Sequence, residues 1–444
     1  MIKNLLRGAA VLSLALTPLA QPAQAAPSDW DLHTSVLPVG TKLPSLADLQ
    51  RGARTSLSRS AGGFDTSQKT VDVVGPAASF GRPAEESASV TDTPTVTYPA
   101  PARTMTPDEC IRGLGTDKRF FIKSRYAACS GAVFFTVWSK NNQPSGETQF
   151  VYLSIGTIAK DSREVRLTQH FTRMSKAGEV ATSGLMIKPT VKVSQTWPST
   201  AHVGQSGTIP GARSFDALAR QQATGFTRSL NASGGQGSGR DDVISAVAEA
   251  SATITPPPGY RPGGDLSGTL FFLPPRWDKA PYLKVPAGAA VFSYAVPLHY
   301  STKQGAPERA VAEHIKTAFT APGRTKPANR AKNVAGQSPA ASLNRLYYDN
   351  TRRKKNRSTA VATCKREFGT GYAAGGKECD EYPFATTYQG CAQSAYETGA
   401  AKNNFSVKAL PKADNGNAGN LLGQFMTLNR IIDGKDDAFY VSVS

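Results

Sequence analysis

Between residues 107 and 300, short apolar runs alternate with turn-forming stretches. Residues 131–138 (Gly-Ala-Val-Phe-Phe-Thr-Val-Trp) and 148–155 (Thr-Gln-Phe-Val-Tyr-Leu-Ser-Ile) are dense in β-branched and aromatic side chains, and the Asn-Asn-Gln-Pro-Ser-Gly between them is turn chemistry. Residues 164–171 alternate polar and apolar, as a half-buried strand does. Residues 185–187, 190–193, 268–273 and 290–296 repeat the pattern, while 229–240 form a Gly/Ser-rich loop. Many short strands separated by turns predict a sandwich-like β-rich domain over 107–300.

After residue 305 the period changes. Val311, Ala312, Ile315 and Phe319 recur at helical spacing within 307–320, and 324–337 is basic and irregular. A strand is expected at 343–348, a helix over 357–368 ending at Gly369, and a strand at 405–410. A helix over 417–432 places Leu421, Leu422, Phe425, Met426 and Leu428 on an apolar face, and 438–443 reads as a closing strand. The class is therefore α+β, with a small mixed domain over 305–444.

The first hundred residues differ from both. Lys3 and Arg7, the apolar run 9–16 and the small-residue site Ala23-Gln24-Ala25 read as a secretory signal over 1–25. Residues 26–105 are rich in Ser, Thr, Pro, Ala and Gly without apolar periodicity, which predicts a disordered or loosely attached arm. No later run approaches the roughly 20 apolar residues of a membrane helix, so the expected location is secreted and extracellular.

Charge narrows the partners. The chain carries 51 Lys and Arg against 33 Asp and Glu, a formal +18. For an exported protein this favours polyanions such as nucleic acid, wall polymers or anionic lipid heads over simple solubility. Residues 301–444 hold 21 of the basic and 12 of the acidic side chains, half of the excess. Of five cysteines, the spacing suggests Cys110–Cys129 and Cys364–Cys379, leaving Cys391 unpaired, with Cys379–Cys391 as the alternative. With no C-x-x-C, a zinc–thiolate site is not expected.

Within the basic C-terminal third lies Cys379-Asp380-Glu381-Tyr382-Pro383-Phe384-Ala385. Adjacent carboxylates before a proline often mark a helix start. In a basic surface they also repel phosphate unless a divalent cation lies between them, which is the requirement of a metal-dependent phosphodiester hydrolase. Arg352-Arg353-Lys354-Lys355, with Arg345, Tyr347, Tyr348 and Arg357 close by, suits phosphate contact and base stacking, or a solvated charged loop. His314 is the only histidine beyond His299, so a paired-histidine mechanism has no place in this domain.

From about 305 to 444 the chain resembles the NucA/NucB family of secreted bacterial deoxyribonucleases. The resemblance rests on Glu313-His314-Ile315-Lys316-Thr317-Ala318-Phe319, Asn344-Arg345, Asn356-Arg357, Asp380 to Ala385, Asp414-Asn415-Gly416-Asn417-Ala418-Gly419 with Gly423, and Asp437 to Val441, in the family's order. It covers about a third of the chain. It implies a metal-dependent, largely sequence-nonspecific DNA endonuclease using Mg2+ or Mn2+; nothing in the residues separates ribose from deoxyribose, so RNA stays open as the substrate. Carried to matching positions, Asp380 and Glu381 are the central acids, as metal ligands or general base. Asn415 is a further oxygen ligand or an Asx cap. Arg345 and Arg357 clamp phosphate or form surface ion pairs. His314 is an acid, a phosphate contact or a hydrogen-bonded helix histidine. Where the family often reads Glu-Gly-Gly, this chain has Gln389-Gly390-Cys391. If that Glu is catalytic, Gln389 removes its charge. The alternative is then a secreted surface- or wall-associated protein that binds nucleic acid without cutting it.

Overall fold

The computed structural model describes residues 29–52, 96–115, 120–221 and 224–444. The expected signal segment lies outside them, as does most of the expected arm. Helices and strands mix in the α+β manner anticipated. The long strands Ala127–Lys140, Gln143–Ile158 and Glu164–Gly178 form an antiparallel meander at the centre of an eight-stranded sheet. Met186–Trp197 and Ile244–Thr255 centre a six-stranded one. Phe134, Tyr152 and Phe171 of the first share a core with Ile187, Val191 and Ala248 of the second. Gly156 sits where a Cβ would lie 2.5 Å from the Phe272 ring and 2.6 Å from that of Phe292, so close sheet packing excludes a side chain there. The other face of the larger sheet is covered by the helix Pro107–Leu114, which starts with a Thr106–Glu109 capping box and is tied down by the Cys110–Cys129 disulfide.

Two expectations are corrected here. The strand Trp30–Leu37, placed in the arm by composition, pairs antiparallel with Ala127–Lys140 from Trp30↔Lys140 to Leu37↔Val133. Leu32 is buried against that sheet, and its backbone partners come from that strand a hundred residues later and from Tyr260–Pro262, paired in parallel on the other side. Farther along the arm, Gln424 bonds both Val96 O (2.7 Å) and Tyr98 N (2.9 Å), and the Tyr98 ring packs edge-on against Phe425. The domain boundary also shifts: Val296–Tyr300 runs parallel to Phe439–Val443 rather than joining the β-rich sheets. At 229–240, strand Phe226–Ala232 extends into the expected loop.

In the C-terminal third, the strand Lys377–Tyr382 pairs antiparallel with Ser406–Pro411, and the helix Lys412–Leu428 follows without a loop. Successive side chains of a strand point to opposite faces. Glu378, Asp380 and Tyr382 therefore share one face, packed by the helices Arg309–Thr320 and Lys412–Leu428. Cys379 and Glu381 face the helix Asn350–Phe368, through the Cys364–Cys379 disulfide and an Arg357 contact. That helix starts seven residues before the expected 357, capped by Asp349, whose side chain accepts from Arg352 N at 2.8 Å. The expected strand at 343–348 is present only as isolated bridges at Leu343 and Arg345.

A buried charge network joins the β-rich sheets to this third. Asp437 accepts from Arg125 and lies 2.7 Å from Arg276 Nη1, while Asp278 meets Arg276 and Arg430. All five side chains are buried, and the carbonyls of Tyr294, Asn429 and Arg430 take further guanidinium protons.

Candidate active site

The paired strands Lys377–Tyr382 and Ser406–Pro411 divide the expected catalytic residues between two faces. Asp380 and Glu381 are neighbours in an extended strand, so they do not aim at one point, and the expectation of a single ion held between them is corrected. On the Asp380 face, Asp380 Oδ2 lies 2.5 Å from His314 Nδ1, and His314 Nε2 lies 2.6 Å from Ser406 Oγ. The other Asp380 oxygen has no hydrogen-bond partner among the described residues. Two residues upstream, Glu378 accepts from Asn415 Nδ2 at 3.1 Å and lies 3.8 Å from Lys412 Nζ. Lys408 stands directly opposite Asp380 in the antiparallel register, on the same face, and is exposed.

On the opposite face, Glu381 pairs with Arg357, whose Nη1 also donates to Cys379 O at 2.6 Å. Burial pushes the Glu381 carboxyl up to about 7; the nearby Asp380 and Glu378 charges add to this, and the Arg357 guanidinium only partly opposes it. Cys391, the free cysteine, is buried in one cluster with Cys364 and Cys379, and burial pushes its thiol up. The disulfides are the two the spacing suggested.

Several expected nucleic-acid contacts are occupied. Arg352 is buried, bonded to Tyr388 O and to Glu397 at 2.7 Å, with its guanidinium over the Tyr388 and Tyr396 rings. Arg345 donates to Ile431 O at 2.7 Å and lies over the Tyr282 and Tyr347 rings. Arg352 is thus held inside the protein, and Arg345 is half-buried among the same groups. Arg353 bonds Asn350 Oδ1, while Lys354 and Lys355 are exposed, all on the helix covering the Glu381 face. Arg357 keeps 42% of its side chain exposed.

Gln389 pairs with Asn344. Its Oε1 accepts from Asn344 N at 3.0 Å and its Nε2 donates to Asn344 Oδ1 at 2.8 Å, while Asn344 Nδ2 reaches Asp437 O. This is an amide pair that joins two loops. Asn356 works similarly, donating to Ala385 O and Thr387 O and accepting from Ala392 N.

Sequence reasoning passed over Glu378, Ser406, Lys408 and Lys412. A strand reading of 377–382 would have found the first by its spacing of two from Asp380. Ser406 and Lys408 depend on strand register, which is set by non-local pairing.

Among the described residues no group of three or more His, Cys, Asp and Glu gathers to hold a metal. The donors that share a face beside Asp380 are the Glu378 carboxylate and the Asn415 amide oxygen. Both are hard oxygens. They fit an ion such as Mg2+ or Mn2+, which keeps several waters and takes its other ligands from substrate phosphate, and they do not fit a closed cage.

Residues 328–442 match the family described as deoxyribonuclease NucA/NucB, which bears out the resemblance for the C-terminal third, with Glu313 to Phe319 outside the matched residues. No curated protein and no solved structure matches the chain.

Proposed function

We propose, with the family match over 328–442 as premise, that this chain is a nuclease, and more narrowly an exported, metal-dependent DNA endonuclease of low sequence specificity. The observation that carries the reading is the Asp380 face: a carboxylate with one oxygen tied and one unpartnered, beside Glu378 and Asn415 and opposite an exposed lysine. The two disulfides suit an oxidising compartment.

Glu378 and Asn415 would hold Mg2+ or Mn2+, which when bound offsets negative charge on the scissile phosphate. Lys408 and Lys412 contribute phosphate contacts from the same side. The untied oxygen of Asp380 accepts a proton from water as the water oxygen bonds to phosphorus. The phosphorus–oxygen bond to the departing sugar breaks, and that oxygen takes its proton from solvent. His314 touches Asp380 from inside the fold and is buried away from substrate. The alternative, binding without cleavage, rested on Gln389, whose side-chain amide pairs with Asn344.

The test is a cleavage panel on purified full-length protein, crossing plasmid DNA and RNA with Mg2+, Mn2+, Ca2+ and EDTA. Nicking and linearisation of DNA with Mg2+ or Mn2+, abolished by EDTA, is expected. Absence of cleavage under every ion would sink the nuclease reading. Cleavage indifferent to EDTA would sink the metal, and faster RNA cleavage would sink the DNA preference.

A further inference from the structure

His314 bridges side chains from two paired strands. Asp380 and Ser406 lie on either side of its ring, 2.5 Å from Nδ1 and 2.6 Å from Nε2, and Ser406 has no exposed surface. The Ser406 hydroxyl makes no other hydrogen bond among the described residues, so its proton has one acceptor, Nε2. With Nε2 accepting, the ring N–H is on Nδ1 and is donated to Asp380 Oδ2. Donation therefore runs in one direction, from Ser406 through His314 to Asp380.

We propose that Ser406 and His314 are positioning residues that lock the Asp380 carboxylate in one orientation. One oxygen is held by the imidazole and the other is turned to the reacting phosphate. This rests on the reading of Asp380 as the base. The order of groups is that of a serine–histidine–aspartate triad, but the serine here is sealed in the core and meets no substrate, so the acid is the working end. The strand register makes the relay possible. Ser406 pairs with Tyr382, two positions from Asp380 on the same face, and the helix Arg309–Thr320 lowers His314 between them.

The relay is tested on full-length protein labelled with 15N-histidine. A two-bond 1H–15N correlation spectrum, with the His314 signals assigned by their loss in His314→Asn, should show the proton on Nδ1 and an unprotonated Nε2. A proton on Nε2 would overturn the relay. In kinetics, Ser406→Ala should lower kcat by roughly tenfold or more, as for other residues that orient a working ligand. The KM for DNA should stay within about twofold, because no substrate contact is lost. Ser406→Thr, which keeps the hydroxyl, should restore kcat. An unchanged kcat in Ser406→Ala, or no rescue by threonine in a folded variant, would remove the positioning role. If the wild-type protein cleaves no DNA, the nuclease reading falls, and the tautomer still decides the relay by itself.

Discussion

Asp437→Asn removes one negative charge from the network between the β-rich sheets and the C-terminal third. The Asp437 carboxylate meets Arg125 and Arg276, and it also accepts from Ile432 N at 3.0 Å and Ala438 N at 2.9 Å. Burial alone would raise its pKa, but the two guanidiniums outweigh burial and hold it at about 2, against an ordinary 3.8. A depressed carboxylate adds stability that is present above its unfolded pKa and lost as pH falls through the folded one. The shift amounts to roughly 2–3 kcal/mol at neutral pH. Asparagine also leaves Arg125, 1% exposed, with no carboxylate partner among the described residues, and Arg276, 2% exposed, with Asp278 alone. Removing one member of a buried pair costs about 3–5 kcal/mol, so we expect a loss of about 3 kcal/mol. At about 2–4 °C per kcal/mol for a domain of this size, the melting temperature should fall by roughly 6–12 °C. The assay is thermal unfolding followed by near-UV circular dichroism at pH 7.5. Adding Arg125→Gln to Asp437→Asn should recover part of the loss, because it removes an uncompensated charge. A melting temperature within a degree of wild type would refute the account of the network.

Glu381→Gln should change stability in a pH-dependent way. The Glu381 carboxyl is raised from 4.5 to about 7, so its contribution is fully present below pH 4.5 and lost as pH rises through 7. The variant should match wild type at pH 5 and exceed it at pH 8.5 by on the order of 1–3 kcal/mol, read by denaturant titration; lower stability at pH 8.5 would contradict this. Gln389→Glu should lose the donor to Asn344 Oδ1, and turning the Asn344 amide to compensate would forfeit its bond to Asp437 O. We expect a loss of about 1–2 kcal/mol and no gain in cleavage, checked by melting and plasmid nicking. Lys408→Ala should weaken DNA binding and reduce the log–log salt slope by about one, measured by fluorescence anisotropy across salt concentrations; an unchanged slope would remove Lys408 from the phosphate contacts.

Much of the architecture was legible because local pattern and tertiary burial agree. The alternation at 164–171 lies in a strand, and the helix expected at 307–320 is Arg309–Thr320. What escaped was set by distant partners. Trp30–Leu37 is polar at Asp31, His33 and Ser35, and it becomes a strand between Ala127–Lys140 and Tyr260–Pro262. Asp380-Glu381 before Pro383 carries the local signature of a helix start, yet pairing with Ser406–Pro411 extends it. That one change of element separates the two acids and joins Asp380 to Glu378. Arg345 and Arg352 show the same limit: an arginine among tyrosines reads as a nucleic-acid surface, and only packing shows that the guanidiniums are used inside. The 412–428 helix starts five residues before the expected 417, since Asp414, Asn415, Gly416 and Asn417 carry little helix propensity.

The separation of the two neighbouring acids is tested most directly by comparing plasmid cleavage by Asp380→Asn and Glu381→Gln, each confirmed folded. Loss of the general base should cut the rate by at least about a hundredfold in Asp380→Asn. Glu381→Gln, altered on the face away from the reacting phosphate, should stay within about fivefold of wild type. Equal losses in both variants, or full activity in Asp380→Asn, would contradict the assignment of catalysis to the Asp380 face.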